Sequence, residues 1–426
     1  MLFRSAENTF IGTSSGYNNT TGLDNTAIGR ASLYTNSTGA YNTALGEEAL
    51  RLNTTASYNT AVGFQAGYSN TAGQIQTAVG AFSLYTNSTG ADNSALGYTA
   101  LYLNTTGSYN TALGRAALYS NTTASYNTAV GYQAGYSNAD TYNTSVGYQA
   151  LYSNTNAFNT AVGNQAGKAT TSGSVTAVGS QVLQANTTGA ANTAVGGNAN
   201  GVSTAALQSN TTGSYNSAFG VGALQANTTA SNNTAVGYQA AYSNTTSNGV
   251  TAVGYKAAYA STNGTNSAFG REALAAEASG SQNTALGNYN LLLQNGASNN
   301  TAVGYSVMTS NTTGSQNTAT GTQAFAYNTT GDGNTGSGYR VLYSNTTGGA
   351  NVAIGQQALY SNTTASNNTA VGYQAAYSNQ TGAQLVAIGT GALFSNTANQ
   401  NTAVGWHALY GNTTGYYNIE IGRAHV

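Results

Sequence analysis

The chain has 426 residues but only 9 Lys plus Arg against 10 Asp plus Glu, about 4% charged, with neither proline nor cysteine. Globular domains average roughly 25% charged residues, and a chain this neutral has no field with which to grip nucleic acid or an anionic membrane. No apolar run approaches the ~20 residues of a spanning helix, no signal peptide is visible in residues 1 to 30, and the missing thiols leave the redox compartment undetermined.

Met1 to Ser5 can be back-translated into one strand of a common sequencing adapter, and Ile421 to Val426 into the other. The preceding adapter bases would also turn an expected alanine codon into that of Glu420. Residues 1–5 and 421–426 are therefore expected to be non-native, in a metagenomic fragment whose gene continues both ways, so Glu420, Arg423 and His425 carry no mechanistic weight.

Between these ends the chain is a register of one short unit. Stretches like N-T-A-V-G recur 25 times, with final glycines from Gly12 to Gly422 spaced by 16 or 17 residues; the one exception is Gly196 to Gly220, spaced by 24. Read from its glycine, the unit is G-Y-Q-A-L-Y-S-N-T-T-G-S-Y-N-T-A-V. A repeat of 17 residues is too short for helix-containing repeats, which need roughly 20 or more, but suits one coil of a parallel β-solenoid. The expected fold is all-β: a β-roll of about 25 coils forming a single domain over residues 7–420. At ~4.8 Å per rung it makes a rod on the order of 115 Å long.

In the first arm, N-T-A-V-G alternates as a pleated strand does, with Thr and Val on one face and Asn, Ala and Gly on the other. The Val slot is apolar except at Thr320 and Ser337, so that face is expected to point inward. The Ala slot is small except at Phe10 and Glu420, with Ser145 and Gly336 as small variants. An outward column of small residues would let another backbone approach, a hint of self-association.

The second arm, G-Y-Q-A-L-Y-S, carries a ladder of Leu33, Leu50, Leu101, Leu118, Leu151, Leu224, Leu274, Leu342, Leu359 and Leu409. It reads as a short strand or bent turn. A helical turn is expected at most near Arg271 to Glu277, where "GREALAAEAS" holds helix formers. The N-T-T-G-S-Y stretch is turn chemistry. Stacked asparagines such as Asn36, Asn53, Asn70, Asn87, Asn104 and Asn121 can chain their amides from rung to rung. A charge in that slot would face its own copy about 5 Å away, so low charge follows from the repeat.

These units, N-T-A-V-G joined by "NTTG" turns, resemble the N-S-x-A-x-G repeats of trimeric autotransporter adhesin heads, and are similar to the shafts of phage tail fibres. The resemblance implies a parallel β-roll assembled as a homotrimer, extracellular on a cell surface or virion fibre, attaching to host-surface glycans or receptors. The adhesin unit is shorter than 17 residues, and the chain shows no membrane anchor, coiled-coil stalk or chaperone domain.

Taken along the chain, the chemical motifs are sparse. Glu47 with Glu48, or Glu272 with Glu277, could be drawn as an acid/base couple but more simply solubilise turns. Sequons such as Asn53-Thr54-Thr55 and Asn121-Thr122-Thr123 could carry glycans, although turn geometry alone accounts for them. Tyr34, Tyr102, Tyr119 and Tyr152 fill exposed slots where rings can stack on each other or receive sugars. The seven extra residues around Asn198 to Thr204 should bulge from one rung. Gly331, Gly333 and Gly336 match G-x-G-x-x-G but fall on turn and strand slots, with no helix following. His407 after Trp406, and His425, lack the converging partners of a metal site.

No catalytic, cofactor-binding or metal-ligating residue is assigned, and the binding residues are left open. The expected function is a non-enzymatic structural or adhesive fibre segment. The alternatives are an ice-binding β-solenoid, disfavoured because Thr would share the inward face with Val, and a passive spacer shaft of a larger fibre.

Overall fold

A computed structural model describes residues 7–198 and 204–423. It holds two compact units, Met1–Asn216 and Ser217–Val426. Each is a parallel β-solenoid with one strand per repeat, and no helix occurs among the described residues. Met1 to Ser5, most of the insertion after Asn198, and His425 lie outside the described residues.

In the first unit the strands run from Thr9–Ile11 to Asn192–Val195, most of them three residues long. Neighbours pair parallel and slot for slot: Thr26 faces Thr43, Ala27 faces Ala44 and Ile28 faces Leu45. The repeat thus puts each residue above its own kind, as the period requires.

The alternation is as expected, but its direction is reversed. Ala27, Ala44 and Ala61 are fully buried, while the flanking Thr and Val, Ile or Leu point out. The asparagine beginning each strand explains the reversal. Asn42 sits on the inner face, where its amide nitrogen donates to the Ala56 carbonyl at 2.9 Å and its side-chain oxygen accepts the Asn59 backbone N–H at 3.0 Å. Burying an amide is favourable only when its groups are bonded. The inter-rung ladder supplies those bonds, and pleating then carries Ala inward with Asn.

Alanine also suits the space. The facing arm sends Leu33, Leu50, Leu101 and Leu118 into the same interior, so a thin core of Ala and Leu results. Most of the leucine ladder in the second unit, including Leu224, Leu274, Leu342 and Leu359, is fully buried; Leu409 is only half-buried.

The second arm is neither strand nor helix. Glu48 and Leu50 adopt left-handed φ of 57° and 49°, a conformation costing roughly 1–2 kcal/mol per residue. It lets successive amides alternate between neighbours: Glu48 N–H donates to the Arg30 carbonyl at 2.8 Å, and Leu50 N–H to the Ala66 carbonyl at 3.0 Å. The helical turn expected near Arg271 to Glu277 does not form. Glu272 and Leu274 are left-handed there too, and their amides bond to Tyr255 and Asn290 on adjacent rungs. Local helix propensity is a few tenths of a kcal/mol per residue and cannot outweigh two rungs of backbone bonds.

Each strand ends on glycine because the next rung is too near for anything else. Gly46 has φ +139°, and a Cβ there would lie 2.4 Å from the Gly63 carbonyl oxygen. At the turn, Asn53 donates to the Asn36 side-chain oxygen at 2.8 Å and to the Ala56 carbonyl at 3.0 Å, and Asn70 repeats the pattern one rung on.

In the second unit the strands run from Ser217–Phe219 to Ile419–Ile421 with the same register. Glu420 takes the inward slot of the last strand, and its carboxylate accepts the Leu409 N–H at 2.7 Å.

Candidate functional site

With Ala inside, the outward strand face carries two parallel rows, Thr beside Val, Leu, Ile or Phe. In the first unit Leu45, Leu96 and Leu113 are 44%, 48% and 42% exposed; in the second, Leu286 and Ile354 are 50% and 45% exposed. The Ala column cannot serve self-association, because it is core. The apolar row takes its place as the surface available to a partner. The same reversal removes the objection that threonine is hidden from solvent.

The opposite face is built by the second arm and is lined with tyrosine. Tyr102, Tyr119, Tyr136 and Tyr152 stack in one column with ring centroids 5.0 to 5.1 Å apart and planes within 10° of parallel. A separate column at the turn holds Tyr109, Tyr126, Tyr142 and Phe158. Tyr17 and Tyr34 stack likewise. Within a column, neighbouring rings cover each other's faces, which closes those faces to a sugar. Burial, then the neighbouring phenols, pushes Tyr85 and Tyr119 above the ordinary tyrosine range.

The charged residues are dispersed. Arg30 pairs with Glu47, while Glu48 accepts from Gln65 at 2.6 Å and lies 3.8 Å from Arg51. Arg51 sits between the Tyr34 and Tyr68 rings. Glu272 lies at the surface beside Arg271. Glu277, by contrast, is fully buried in the asparagine ladder, with neutral Gln294 above it. Its carboxylate accepts backbone N–H groups of Ser279 and Gly296, each at 3.0 Å, and of Gly280, plus the Gln294 amide at 2.7 Å. The two acids of this pair thus occupy different environments, one solvated and one structural.

The sequon asparagines Asn53 and Asn121 are fully buried with their amides bonded within the ladder, so the folded rung offers neither to a glycan. Gly336 lies at an inward strand slot against Phe325, and Gly331 beside the ladder amides of Asn328 and Asn345, so both glycines serve packing. His407 stacks on Trp406 with centroids 3.8 Å apart, and Arg423 lies over the same indole. Among the described residues no group of three or more His, Cys, Asp or Glu could hold a metal, and no helix is long and apolar enough to cross a membrane.

One stretch of the tyrosine face departs from the repeat. Glutamine is the commonest residue two places after the strand glycine, filling that slot in nine of the 25 units, and Gln149 donates to Gln133 at 2.9 Å to form a small ladder. At Thr99 and Ala116 that slot is short, and two adjoining hollows of about 200 and 240 Å³ open there. The sequence signal of this feature is two consecutive short residues, which Ser14 and Ala31 also supply, joined here by Arg115 in the tyrosine slot between Tyr98 and Tyr132. No family model matches the chain, and no curated protein matches it.

Proposed function

We propose that the chain is a non-enzymatic structural segment of an extracellular fibre, on a cell surface or virion, built from parallel copies and used for attachment to host surfaces. The observation that carries this reading is the exposed apolar row of the strand face. Monomeric soluble proteins rarely expose long contiguous apolar patches, and within each compact unit successive rungs add an apolar residue to the row, with Thr320 and Ser337 as the exceptions. Two copies set side by side in register would bury the row along its length, so association strengthens with the number of rungs. The resemblance to adhesin heads supports three copies.

Sedimentation equilibrium tests it. The wild-type chain is expected to run as an oligomer, and a double variant Leu96→Glu/Leu113→Glu to shift toward the 42.9 kDa monomer with its circular dichroism intact. A wild-type monomer at tens of micromolar would overturn the assembly.

The same face favours a second reading, ice binding, because outward Thr and Val stand in register from rung to rung. Phe219, Phe269, Thr320 and Ser337 interrupt its evenness, which ranks it second. Thermal hysteresis at micromolar concentration would promote it. A passive spacer is distinguished from both by showing neither host attachment nor hysteresis.

A further inference from the structure

The hollows at Thr99 and Ala116 have the make-up of a ligand site. Their floor is the two short side chains. Tyr98, Arg115 and Tyr132 flank it on one side and Tyr102, Tyr119 and Tyr136 on the other. Phe82 sets its edge against Tyr98 at one end, and Gln133 resumes the glutamine ladder at the other.

Two features define what would fit. First, the ring column after the strand glycine is broken here: Arg115 stands between Tyr98 and Tyr132, 5.7 and 5.8 Å from their centroids. The rings facing the trough therefore lack an aromatic neighbour at that rung, unlike those of the Tyr119 column. Second, Arg115 is exposed and, among the described residues, makes no ion pair, whereas Arg30, Arg51 and Arg271 each have a glutamate. An unneutralised guanidinium beside aromatic rings, phenolic hydroxyls, a glutamine and a threonine suits a planar carboxylate carried on a ring rich in C–H and hydroxyl groups.

We propose that this trough binds a carboxylated saccharide, of the hexuronate or sialate class, with its acid group on Arg115. The inference rests on the attachment reading above and gives it a ligand. A single cation excludes a polyphosphate backbone, which needs a row of them. The hollows are smaller than the ~300 Å³ or more of typical small-molecule pockets, so single-site affinity is weak and a multi-copy fibre would gain by avidity. The strand face lies on the other side of the Ala and Leu core, so assembly through it leaves the trough open.

The test is calorimetry or glycan-array binding of the full chain to a free oligogalacturonate, to its methyl-esterified form, to a sialyl oligosaccharide and to a sulfated oligosaccharide. Binding of one carboxylated probe, with the ester at least about tenfold weaker, is expected. R115Q should weaken it about tenfold. T99Q and A116Q, which restore the residue common in this slot and so should fold, should abolish it by filling the floor. Equal binding of ester and acid, binding unchanged by A116Q, preference for sulfate, or binding of none of the probes would each overturn the proposal. Sedimentation run on the same samples separates the two readings: an oligomer that binds no saccharide sinks this inference alone, and a monomer that binds saccharide sinks the assembly alone.

Discussion

Phe325 and Gly336 occupy one space between them. Phe325 replaces the usual leucine of the second arm and is fully buried, and a Cβ on Gly336 would fall 2.4 Å from its ring. Gly336 stands where almost every other strand has alanine, so the larger residue on one arm is matched by a smaller one on the facing arm. Phe10 and Gly16 show the same exchange with the arms reversed.

Gly336→Ala should therefore destabilise the second unit by about 1–3 kcal/mol through overpacking, although alanine is the common residue there. Phe325→Leu in the same chain should recover most of the loss. A double-mutant cycle by urea unfolding measures the coupling, and additive effects would count against the pairing.

Removing one ladder amide should cost more than its own bonds. Asn53→Ala leaves the Asn36 side-chain oxygen without its buried donor and the Asn70 amide without its acceptor on that rung, while the Ala56 carbonyl keeps only Asn42, for an expected loss of about 1–3 kcal/mol. Because each rung bonds only its neighbours, hydrogen exchange should quicken around Asn36 to Asn70 and stay slow near Asn192.

Glu277→Ala should be among the more damaging single changes in the second unit. It strips the acceptor from the amides of Ser279, Gly280 and Gly296 and from Gln294, so at least about 1–3 kcal/mol is expected. Glu272→Ala, at the surface, should stay within ~0.5 kcal/mol. Equal effects in thermal unfolding would refute the contrast.

The tyrosine columns predict alkaline sensitivity. Tyr85 and Tyr119 are held above the ordinary phenol range in the folded chain, so the folded state favours the neutral phenol. That contribution is complete below the unfolded value of about 10 and is lost as pH rises through the higher folded value. Ultraviolet titration should show a late phenolate component, diminished in Tyr119→Phe, together with lower thermal stability above about pH 10.

The period, the parallel coil, the alternation and the turn asparagine ladder from Asn36 to Asn121 were legible because each is a matter of spacing; the second ladder, of Asn25, Asn42 and Asn59, was not. The polarity of the strand was not, since ranking Val above Ala by hydrophobicity takes no account of Asn42, whose bonded amide decides which face turns in. At Arg271 to Glu277, helix formers misled because the same backbone amides are claimed by neighbouring rungs. At Thr99 and Ala116 the signal was an absence, visible only once the glutamine slot is known to cover the floor between two rows of rings.

The Asn36, Asn53 and Asn70 ladder also bears on how such a gene can change. Each bond along this ladder joins an asparagine to its equivalent one unit on, and the other cross-rung bonds join fixed slots of neighbouring units, so excising one whole unit returns each donor to an acceptor of the same kind. Unequal exchange between repeats could then lengthen or shorten a unit by single rungs without a misfolded intermediate. A cut that is not a multiple of the unit would misalign every ladder at once. Selection on this scaffold can act on length in whole steps, as on a ruler whose graduations are interchangeable.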